Sequence, residues 1–352
     1  MSTSSFEHPQ QFKAAVWPKE NAQLLEIKNV EWRNPQHGQV VIKVHVAGIN
    51  STDNISRYNL IGKIHYPTTP GSNVVGEIVQ VGQGVKHFKQ GQHVVAILSH
   101  KGLGEYCIAD EQFICQLNDK QKSKEEIVVQ AFEGARIEGS IRRFEREMEH
   151  EDQQRCQEIN KRMGFEGSGI CVVYGEGGCA KLALDLLRNC QSRMMKDSKF
   201  ILISTSEKWK AQDYGLQDQD MLCAGKHDIA KELRTRGGAH FVLAVDQPRQ
   251  GLEELLDGMR YRSQMIVLNP YRNDKVQLPL GNMIAKDLSI RAPCFADTKS
   301  IEKALELFDR NNIKVPTNRY KFEENEINQA WKEVENRSKF DAPIILMHGG
   351  GN

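Results

Sequence analysis

The sequence predicts an α/β protein with two domains, a compact and mostly antiparallel β-domain and a doubly wound parallel sheet. From Phe12 to about Leu117, short β-branched runs such as QVVIKVHVAG alternate with glycine, proline and asparagine, a pattern typical of paired strands. From Gly169 to Pro293, apolar strands such as ICVVYG and FILIST alternate with helical stretches, which indicates βαβ units. A chain of 352 residues is long enough for two hydrophobic cores.

Composition restricts the class of partner. Lysine and arginine number 47 and aspartate and glutamate 46, so no overall charge favours nucleic acid or an anionic membrane surface. A small neutral or mildly charged substrate fits better. The N-terminal segment lacks a basic start followed by an apolar core, and runs such as FVLAV span only about five residues, so we expect neither secretion nor membrane insertion. The eight cysteines form no CxxC pair, which favours reduced thiols in the cytoplasm.

A charged segment separates the two blocks. Residues 136–163 carry apolar side chains at roughly helical spacing, together with opposite charges four residues apart such as Arg143 and Glu147. The pattern predicts one long charged helix that ends at the glycines from Gly164 onward. Two interpretations stay open: a solvated helix on its own domain, or an arm that docks a protein partner.

The predicted domain boundaries follow these changes of pattern. Residues 1–135 form the first part of the β-domain, 136–166 the helical insertion or linker, 167–296 the parallel-sheet domain, and 297–352 a return to the β-domain. In the last segment, the patterns SIEKALELFDRNN, EINQAWKEVEN and APIILM predict helix, helix and strand.

The run VVYGEGGCAKLALDLL contains the most informative short motif. Gly175, Gly177 and Ala180 fill a G-x-G-x-x-A pattern, with Gly178 and Cys179 between them, directly after an apolar strand and at the start of a helix. The glycines would allow a tight turn and close approach to a pyrophosphate, and the helix N-terminus would hold the anion. The alternative is a simple turn without a ligand.

The loop after the next predicted strand bears on the choice of cofactor. Ser204, Thr205, Ser206 and Lys208 stand where an NAD-preferring site normally has a carboxylate for the ribose 2′-hydroxyl. Hydroxyls and a cation accept a 2′-phosphate better, so NADP(H) is favoured. An ordinary polar loop remains the alternative, with Glu207 close by. The remaining candidate cofactor-binding residue is Asn269, at the end of QMIVLN.

Several segments occur in the order that is characteristic of one superfamily. They are VAGINSTD, PGSNVVGEIVQVGQGVKHFKQGQHVVA, GLGEYCIAD, GEGGCA and SEKWKAQDYG. With them the chain resembles the medium-chain dehydrogenase/reductase superfamily over nearly its whole length. The resemblance implies a GroES-like β-domain followed by a Rossmann domain, and it makes a homodimer plausible.

The resemblance also bears on metal. Zinc alcohol dehydrogenases of this superfamily have Cys-His-Ser/Thr-Asp where residues 50–53 read Asn-Ser-Thr-Asp, and Gly-His-Glu where residues 71–73 read Gly-Ser-Asn. Catalytic zinc needs three protein ligands, usually thiolate or imidazole. The lobe with closely spaced cysteines that holds a structural zinc is missing too. No metal is predicted.

The stretch is more similar to the zinc-independent quinone oxidoreductases and enoyl reductases. These enzymes transfer hydride from NADPH to an activated alkene or quinone, which implies a small enone, quinone or enoyl substrate. Asn50 could donate an N–H near the nicotinamide, and Thr52, matching the proton-relay hydroxyl of the zinc relatives, could pass a proton. Tyr58 is a poorer candidate. The alternative is that Asn50 and Thr52 simply cap a loop.

Three departures count against activity. In one of them, Asp341, Ala342 and Pro343 stand at the final strand, where the superfamily often has a preceding basic residue that faces the cofactor phosphates, and Lys339 is the nearest substitute. The superfamily helix with GLTAY falls near FEGARIEGSI, where charged Arg136 and Glu138 replace small neutral residues. The spacing from that helix to the glycine turn is also longer than usual. Two functions follow: a zinc-independent, NADPH-dependent reductase, or a catalytically degenerate relative that serves as a structural or interaction subunit through its 136–163 helix and possibly still binds nucleotide.

Overall fold

The computed structural model describes residues 6–60, 62, 64–117, 123–149, 153–167, 169–190, 198–246, 251–269, 277–293, 296–336 and 341–347. The chain divides into two compact units. The first comprises Met1–Ala135, Phe295–Phe308 and Lys314–Asn352, and the second Arg136–Cys294 and Asp309–Ile313. One unit contains a mostly antiparallel sheet and the other a parallel sheet with helices, which confirms the predicted fold class.

The strands are β1 (Gln11–Val16), β2 (Glu26–Glu31), β3 (Gln39–Gly48), β4 (Asn73–Val81), β5 (His93–Ile97), β6 (Tyr106–Asp110), β7 (Ile114–Gln116), β8 (Ile170–Tyr174), β9 (Lys199–Ser204), β10 (Met221–Cys223), β11 (Ala239–Ala244), β12 (Met259–Val267), β13 (Ser289–Arg291), β14 (Thr317–Lys321) and β15 (Ala342–Leu346). The α-helices are α1 (Asn54–Arg57), α2 (Lys124–Val129), α3 (Ala135–Glu149), α4 (Gln153–Arg162), α5 (Gly177–Asn189), α6 (Ile229–Thr235), α7 (Leu252–Asp257), α8 (Leu280–Lys286), α9 (Thr298–Asn311) and α10 (Glu324–Asn336).

The first unit is built on a sheet in the order β14-β15-β3-β4-β5-β7, with β6 also paired to β3. Every pairing in it is antiparallel except that of β14 with β15. Valine and isoleucine side chains of β3, β4 and β5 fill its core together with Trp17 and Trp331, whose rings meet edge to face at 5.1 Å. Strands β1 and β2 form a separate hairpin-like pair.

The last segment of the chain contains one more element than its sequence predicts. Strand β14 lies between helices α9 and α10, and β15 pairs antiparallel with β3 through Ile344 and Gly48. The β14 sequence TNRYK buries only Tyr320. A short polar edge strand of this kind carries no period-two apolar pattern, which explains why it was missed.

The second unit is a six-stranded parallel sheet in the order β10-β9-β8-β11-β12-β13. This is the 3-2-1-4-5-6 order of the dinucleotide-binding Rossmann fold. All five residues of β8 are buried, as expected for a central parallel strand covered on both faces. Its carboxyl end therefore lies at the sheet edge where such folds bind ligands.

The charged segment is not a solvated helix over the residues that the structure describes. The described residues form two helices, and the first is largely buried in the second unit, where the Phe144 ring lies 4.7 Å from that of Phe241. Arg136 is 2% exposed and Glu138 8%. The predicted ion pair between Arg143 and Glu147 is replaced by another one. The Glu147 carboxylate pairs with Arg291 at 2.9 Å. An apolar stripe outweighs the charges on α3, whereas most described side chains of α4 are exposed.

Among the described residues, no helix has the length and apolar character needed to cross a membrane.

Replacement of Asn328 should destabilise the first unit. Its side chain accepts from Leu25 N at 2.8 Å and donates to Leu25 O at 2.9 Å, so Asn328→Ala leaves two backbone groups of a buried residue without partners. We expect a loss of about 2 kcal/mol in the free energy of unfolding, measured by urea denaturation with tryptophan fluorescence. The control is Asn325→Ala at an exposed position of the same helix, which should change the value by less than about 0.5 kcal/mol.

Candidate functional site

A glycine turn joins β8 to α5 in the second unit. Gly175 follows β8 with a φ of 137°, and Gly177 opens α5 with a φ of 67°. A Cβ atom on Gly175 would lie 2.5 Å from Val245 Cγ2 and 2.8 Å from Asp246 Oδ2, so a larger residue would displace the turn. The glycine pattern therefore lies at the carboxyl end of a parallel strand and at a helix N-terminus, the context in which it holds phosphate.

Side chains of the protein already accept hydrogen bonds from two N–H groups of this turn. Glu176 N donates to Asp246 Oδ2 at 3.1 Å, and Gly177 N donates to the Tyr214 hydroxyl at 2.9 Å. Burial raises the pKa of Tyr214, and the nearby carboxylates of Glu176 and Asp246 raise it further, so the hydroxyl is neutral. These acceptors would compete with phosphate oxygens for the same donors.

The other predicted residues of the motif form the first turn of α5. Gly178 and Cys179 are half-buried there, and Ala180 is buried. An α-helix leaves its first N–H groups without acceptors inside the helix, and its dipole favours negative charge at this end. The start of α5 at Gly178 is therefore suited to an anion.

The loop after β9 turns its hydroxyls toward Glu176. Thr205 Oγ1 donates to one oxygen of the Glu176 carboxylate, and Ser206 Oγ donates to the other at 2.6 Å. Ser204 is buried, and its hydroxyl donates to Ser206 O at 2.7 Å. Lys208 is exposed, with its Nζ 4.7 Å from the centre of the Trp209 ring. Glu176 was missed from the sequence, although a charged residue at the second position of G-x-G was visible there.

Asn269 is held inside the second unit. Its Nδ2 donates to Val245 O at 2.9 Å, and its Oδ1 accepts from Arg136 Nη1 at 2.8 Å. The two contacts place the buried Arg136 guanidinium beside the carboxyl ends of β11 and β12. The Arg136 guanidinium, which departs from the superfamily pattern, thus contacts Asn269, a predicted cofactor-binding residue.

In the first unit, Asn50 is the centre of a polar network. Its Oδ1 accepts from Thr52 N at 2.9 Å, and its Nδ2 donates to Ser72 Oγ at 3.1 Å and to Asn73 Oδ1 at 2.9 Å. Asn73 Nδ2 donates to Val128 O at 2.8 Å. Asn50 therefore caps the turn Ser51–Asp53, and both of its N–H groups have acceptors within the unit. Its role toward a substrate stays a prediction.

Asp53 is a buried carboxyl group in the same network. It accepts from Asn50 N at 3.1 Å, Gly71 N at 3.0 Å and Ser72 Oγ at 3.1 Å. Burial raises its pKa to about 6, and the three hydrogen bonds to the carboxylate oppose that rise. Asp53 thus fixes the backbone on both sides of the network.

The two other catalytic candidates lie nearby in the chain. Thr52 is buried beside Asn50. The half-buried ring of Tyr58 lies 5.1 Å from the Arg57 guanidinium, which also contacts Trp17 and Trp331. The ring therefore packs against a structural cation of the core, and a catalytic role for Tyr58 stays a prediction.

The donor set of this network does not fit zinc. Asn50, Ser72 and Asn73 offer amide and hydroxyl groups in place of thiolate or imidazole, and they are hydrogen-bonded to one another. Within the described part of the chain, no three histidine, cysteine, aspartate or glutamate side chains are grouped so as to hold a metal ion.

Known proteins resemble this chain in sequence and in fold. The alcohol dehydrogenase GroES-like domain family matches residues 36–124. The chain is 24% identical to an alcohol dehydrogenase of Geobacillus stearothermophilus, covering 95% of this chain and 98% of that one. It is 25% identical to an acryloyl-coenzyme A reductase of Metallosphaera sedula, covering 85% and 90%. The solved structure of Escherichia coli quinone oxidoreductase complexed with NADPH superposes with a TM-score of 0.72 at 18% identity, covering 95% and 100%, a likeness of fold.

The buried Asp53 should give the first unit a specific pH dependence. Its carboxyl group binds a proton more tightly in the folded state than in the unfolded state, so its stabilising contribution is complete below the unfolded pKa of 3.8 and is lost as the pH rises through about 6. Relative to Asp53→Asn, the wild-type free energy of unfolding should fall by about 2 kcal/mol between pH 4 and 7.

Urea denaturation of both proteins at a series of pH values measures this difference. Asp341→Asn, at an exposed aspartate of the same unit, serves as the control and should track wild type. A constant difference between wild type and Asp53→Asn across the range would contradict the assignment.

Proposed function

We propose that this chain, which resembles the medium-chain dehydrogenase/reductase superfamily, is a zinc-independent oxidoreductase that transfers hydride from a nicotinamide dinucleotide to a small enone, quinone or enoyl substrate. The observation that carries the proposal is the glycine turn of Gly175 and Gly177 at the carboxyl end of β8, opening α5. The names of an acryloyl-coenzyme A reductase and a quinone oxidoreductase among the similar proteins support the substrate class.

The dinucleotide supplies the hydride, and the chain supplies position and charge. The first turn of α5, at Gly178 and Cys179, would hold the pyrophosphate against the positive end of the helix dipole. Asn50 and Thr52 remain the candidates to donate a hydrogen bond or a proton to the substrate oxygen, with Tyr58 behind them. Asn50 would have to exchange Ser72 or Asn73 for the substrate as acceptor.

The sequence predicts NADP(H) from Ser204, Thr205, Ser206 and Lys208. Two of these hydroxyls donate to the carboxylate of Glu176. The choice between the two dinucleotides therefore depends on Glu176.

We also propose a cytoplasmic location and assembly as a homodimer. The structure describes seven cysteines and shows them as reduced side chains outside any disulfide, which supports a reducing compartment. Burial raises the pKa of Cys107 and of Cys171 to about 12, so both stay protonated and unreactive. The homodimer rests on the superfamily resemblance alone.

A second function is favoured by Arg136 and by the acidic residues of the glycine turn. Arg136 stands in a helix where the superfamily has small neutral residues, and its guanidinium bonds Asn269. Asp246 accepts from Glu176 N at the turn itself. A catalytically inactive relative would tolerate both features. It would serve as an interaction subunit, with the described exposed face of α4 as the surface for a protein partner.

Gly178→Asp separates anion binding from folding. Gly178 is the second residue of α5. An aspartate at this position is stabilised by the helix dipole, but its negative charge repels a pyrophosphate. We expect dinucleotide affinity to fall at least about tenfold by fluorescence titration, with the free energy of unfolding changed by less than about 0.5 kcal/mol. The matched control is Gly281→Asp, the exposed second residue of α8, where a Cβ meets nothing within 4 Å. Unchanged affinity in Gly178→Asp would remove the basis of the proposal.

Turnover distinguishes the two functions. Purified protein with NADH or NADPH is assayed at 340 nm with an enone, a quinone and an enoyl thioester. We expect oxidation of the dinucleotide with one class, unaffected by a strong zinc chelator, because Asn50, Ser72 and Asn73 offer no zinc ligands. Dinucleotide binding without turnover of any class would favour the inactive relative, and loss of activity on chelation would contradict zinc independence.

A further inference from the structure

Glu176 lies between the glycine turn and the loop that follows β9. It is the residue between Gly175 and Gly177, and its backbone N–H is bonded to Asp246 at 3.1 Å. Its side chain extends to the loop after β9, the second strand of the 3-2-1-4-5-6 order. In this fold the residues after the second strand contact the adenosine ribose of a dinucleotide. The Glu176 carboxylate therefore stands at the ribose end of the predicted cofactor site.

The hydroxyls of this loop are already used as donors to that carboxylate. Thr205 Oγ1 donates to Glu176 Oε1, and Ser206 Oγ donates to Oε2 at 2.6 Å. An ionised carboxylate offers about four acceptor positions, so two hydrogen bonds leave room for a ribose hydroxyl to donate as well. It offers no donor to a phosphate.

Two cations near this loop have other partners. Lys208 Nζ lies 4.7 Å from the centre of the Trp209 ring. Lys226 Nζ pairs with the exposed Glu207 carboxylate on the surface. The charge that the sequence offered to a 2′-phosphate is thus directed elsewhere, while Glu176 and Asp246 bring two carboxylates to the turn. A 2′-phosphate adds about 1.5 to 2 negative charges to this place.

We propose that Glu176 is a specificity-determining residue that accepts a hydrogen bond from the free 2′-hydroxyl of the adenosine ribose and repels a 2′-phosphate, so that the protein selects NADH over NADPH. The inference rests on the proposed function, because it requires that a dinucleotide binds at this turn. It reverses the preference that the loop sequence predicts, because that prediction requires the hydroxyls of Thr205 and Ser206 to be available to a phosphate.

The test is a fluorescence titration of the full chain with NADH and with NADPH, using wild type, Glu176→Gln and a control. Glutamine keeps the size of the side chain and removes the charge. Its oxygen still accepts from one hydroxyl, and its NH2 group donates to the oxygen of the other. We expect wild type to bind NADH at least about tenfold more tightly than NADPH, and Glu176→Gln to reduce that ratio at least about tenfold, mainly through tighter binding of NADPH. Glu253→Gln removes the same charge at an exposed position of α7 and should leave the ratio unchanged.

A second measurement needs no substitution. Adenosine 5′-monophosphate and adenosine 2′,5′-bisphosphate differ only in the 2′-phosphate, and each is tested as a competitor of NADH on wild type. We expect the monophosphate to compete and the bisphosphate to compete at least about tenfold less well. This result holds even if Glu176→Gln fails to fold.

The outcomes separate this inference from the proposed function. Preference for NADPH in wild type, equal competition by the two adenosine phosphates, or an unchanged ratio in Glu176→Gln overturns the role of Glu176 and leaves a dinucleotide-binding reductase in place. Failure of wild type and of Glu176→Gln to bind either dinucleotide overturns the proposed function, and the inference with it.

Discussion

The backbone N–H groups at the start of α5 need hydrogen-bond acceptors, and the arrangement of the second unit depends on this need. A helix leaves its first N–H groups without partners, and a buried donor without an acceptor costs about 1–3 kcal/mol. Here Asp246 from the end of β11 and Tyr214 from the loop after β9 meet Glu176 N and Gly177 N. One turn therefore ties together the segments that follow three neighbouring parallel strands, and any ligand of this edge must contend with those contacts.

The same constraint acts in the first unit with different chemistry. Where zinc relatives place soft ligands, Asn50, Ser72 and Asn73 bond to one another, and the buried Asp53 carboxyl fixes the adjoining backbone. Ionisation of a buried carboxyl group costs free energy, which the three hydrogen bonds to Asp53 offset in part. A network with complete partners holds a definite geometry, whereas a network with missing partners would be among the most costly features of a core.

The sequence predicts the fold class because its two periodicities are strong. The buried run ICVVY and the glycines after it lie where the βαβ interpretation requires them. Residues 36–124 match the alcohol dehydrogenase GroES-like domain family. The sequence does not predict the direction in which each polar side chain points. The hydroxyls of Thr205 and Ser206 look available to a phosphate in the sequence, but Glu176, about thirty residues earlier, accepts both hydrogen bonds. The prediction of a solvated helix was wrong for α3 for a related reason. A helix with an apolar stripe can be buried even though it carries Arg136 and Glu138.

In both units, the residues that depart from the superfamily pattern form hydrogen bonds with complementary polar partners. Asn50 bonds Asn73, twenty-three positions away, and Glu176 bonds Ser206, thirty positions away. A single substitution at either pair would leave a partly buried polar group without its partner, at a cost of about 1–3 kcal/mol. Simple loss of zinc ligands or of cofactor contacts gives no reason for complementary partners to stand at such distances along the chain. The chain therefore specifies two defined polar sites, and a defined site at a helix N-terminus and sheet edge is what selective recognition of a dinucleotide requires.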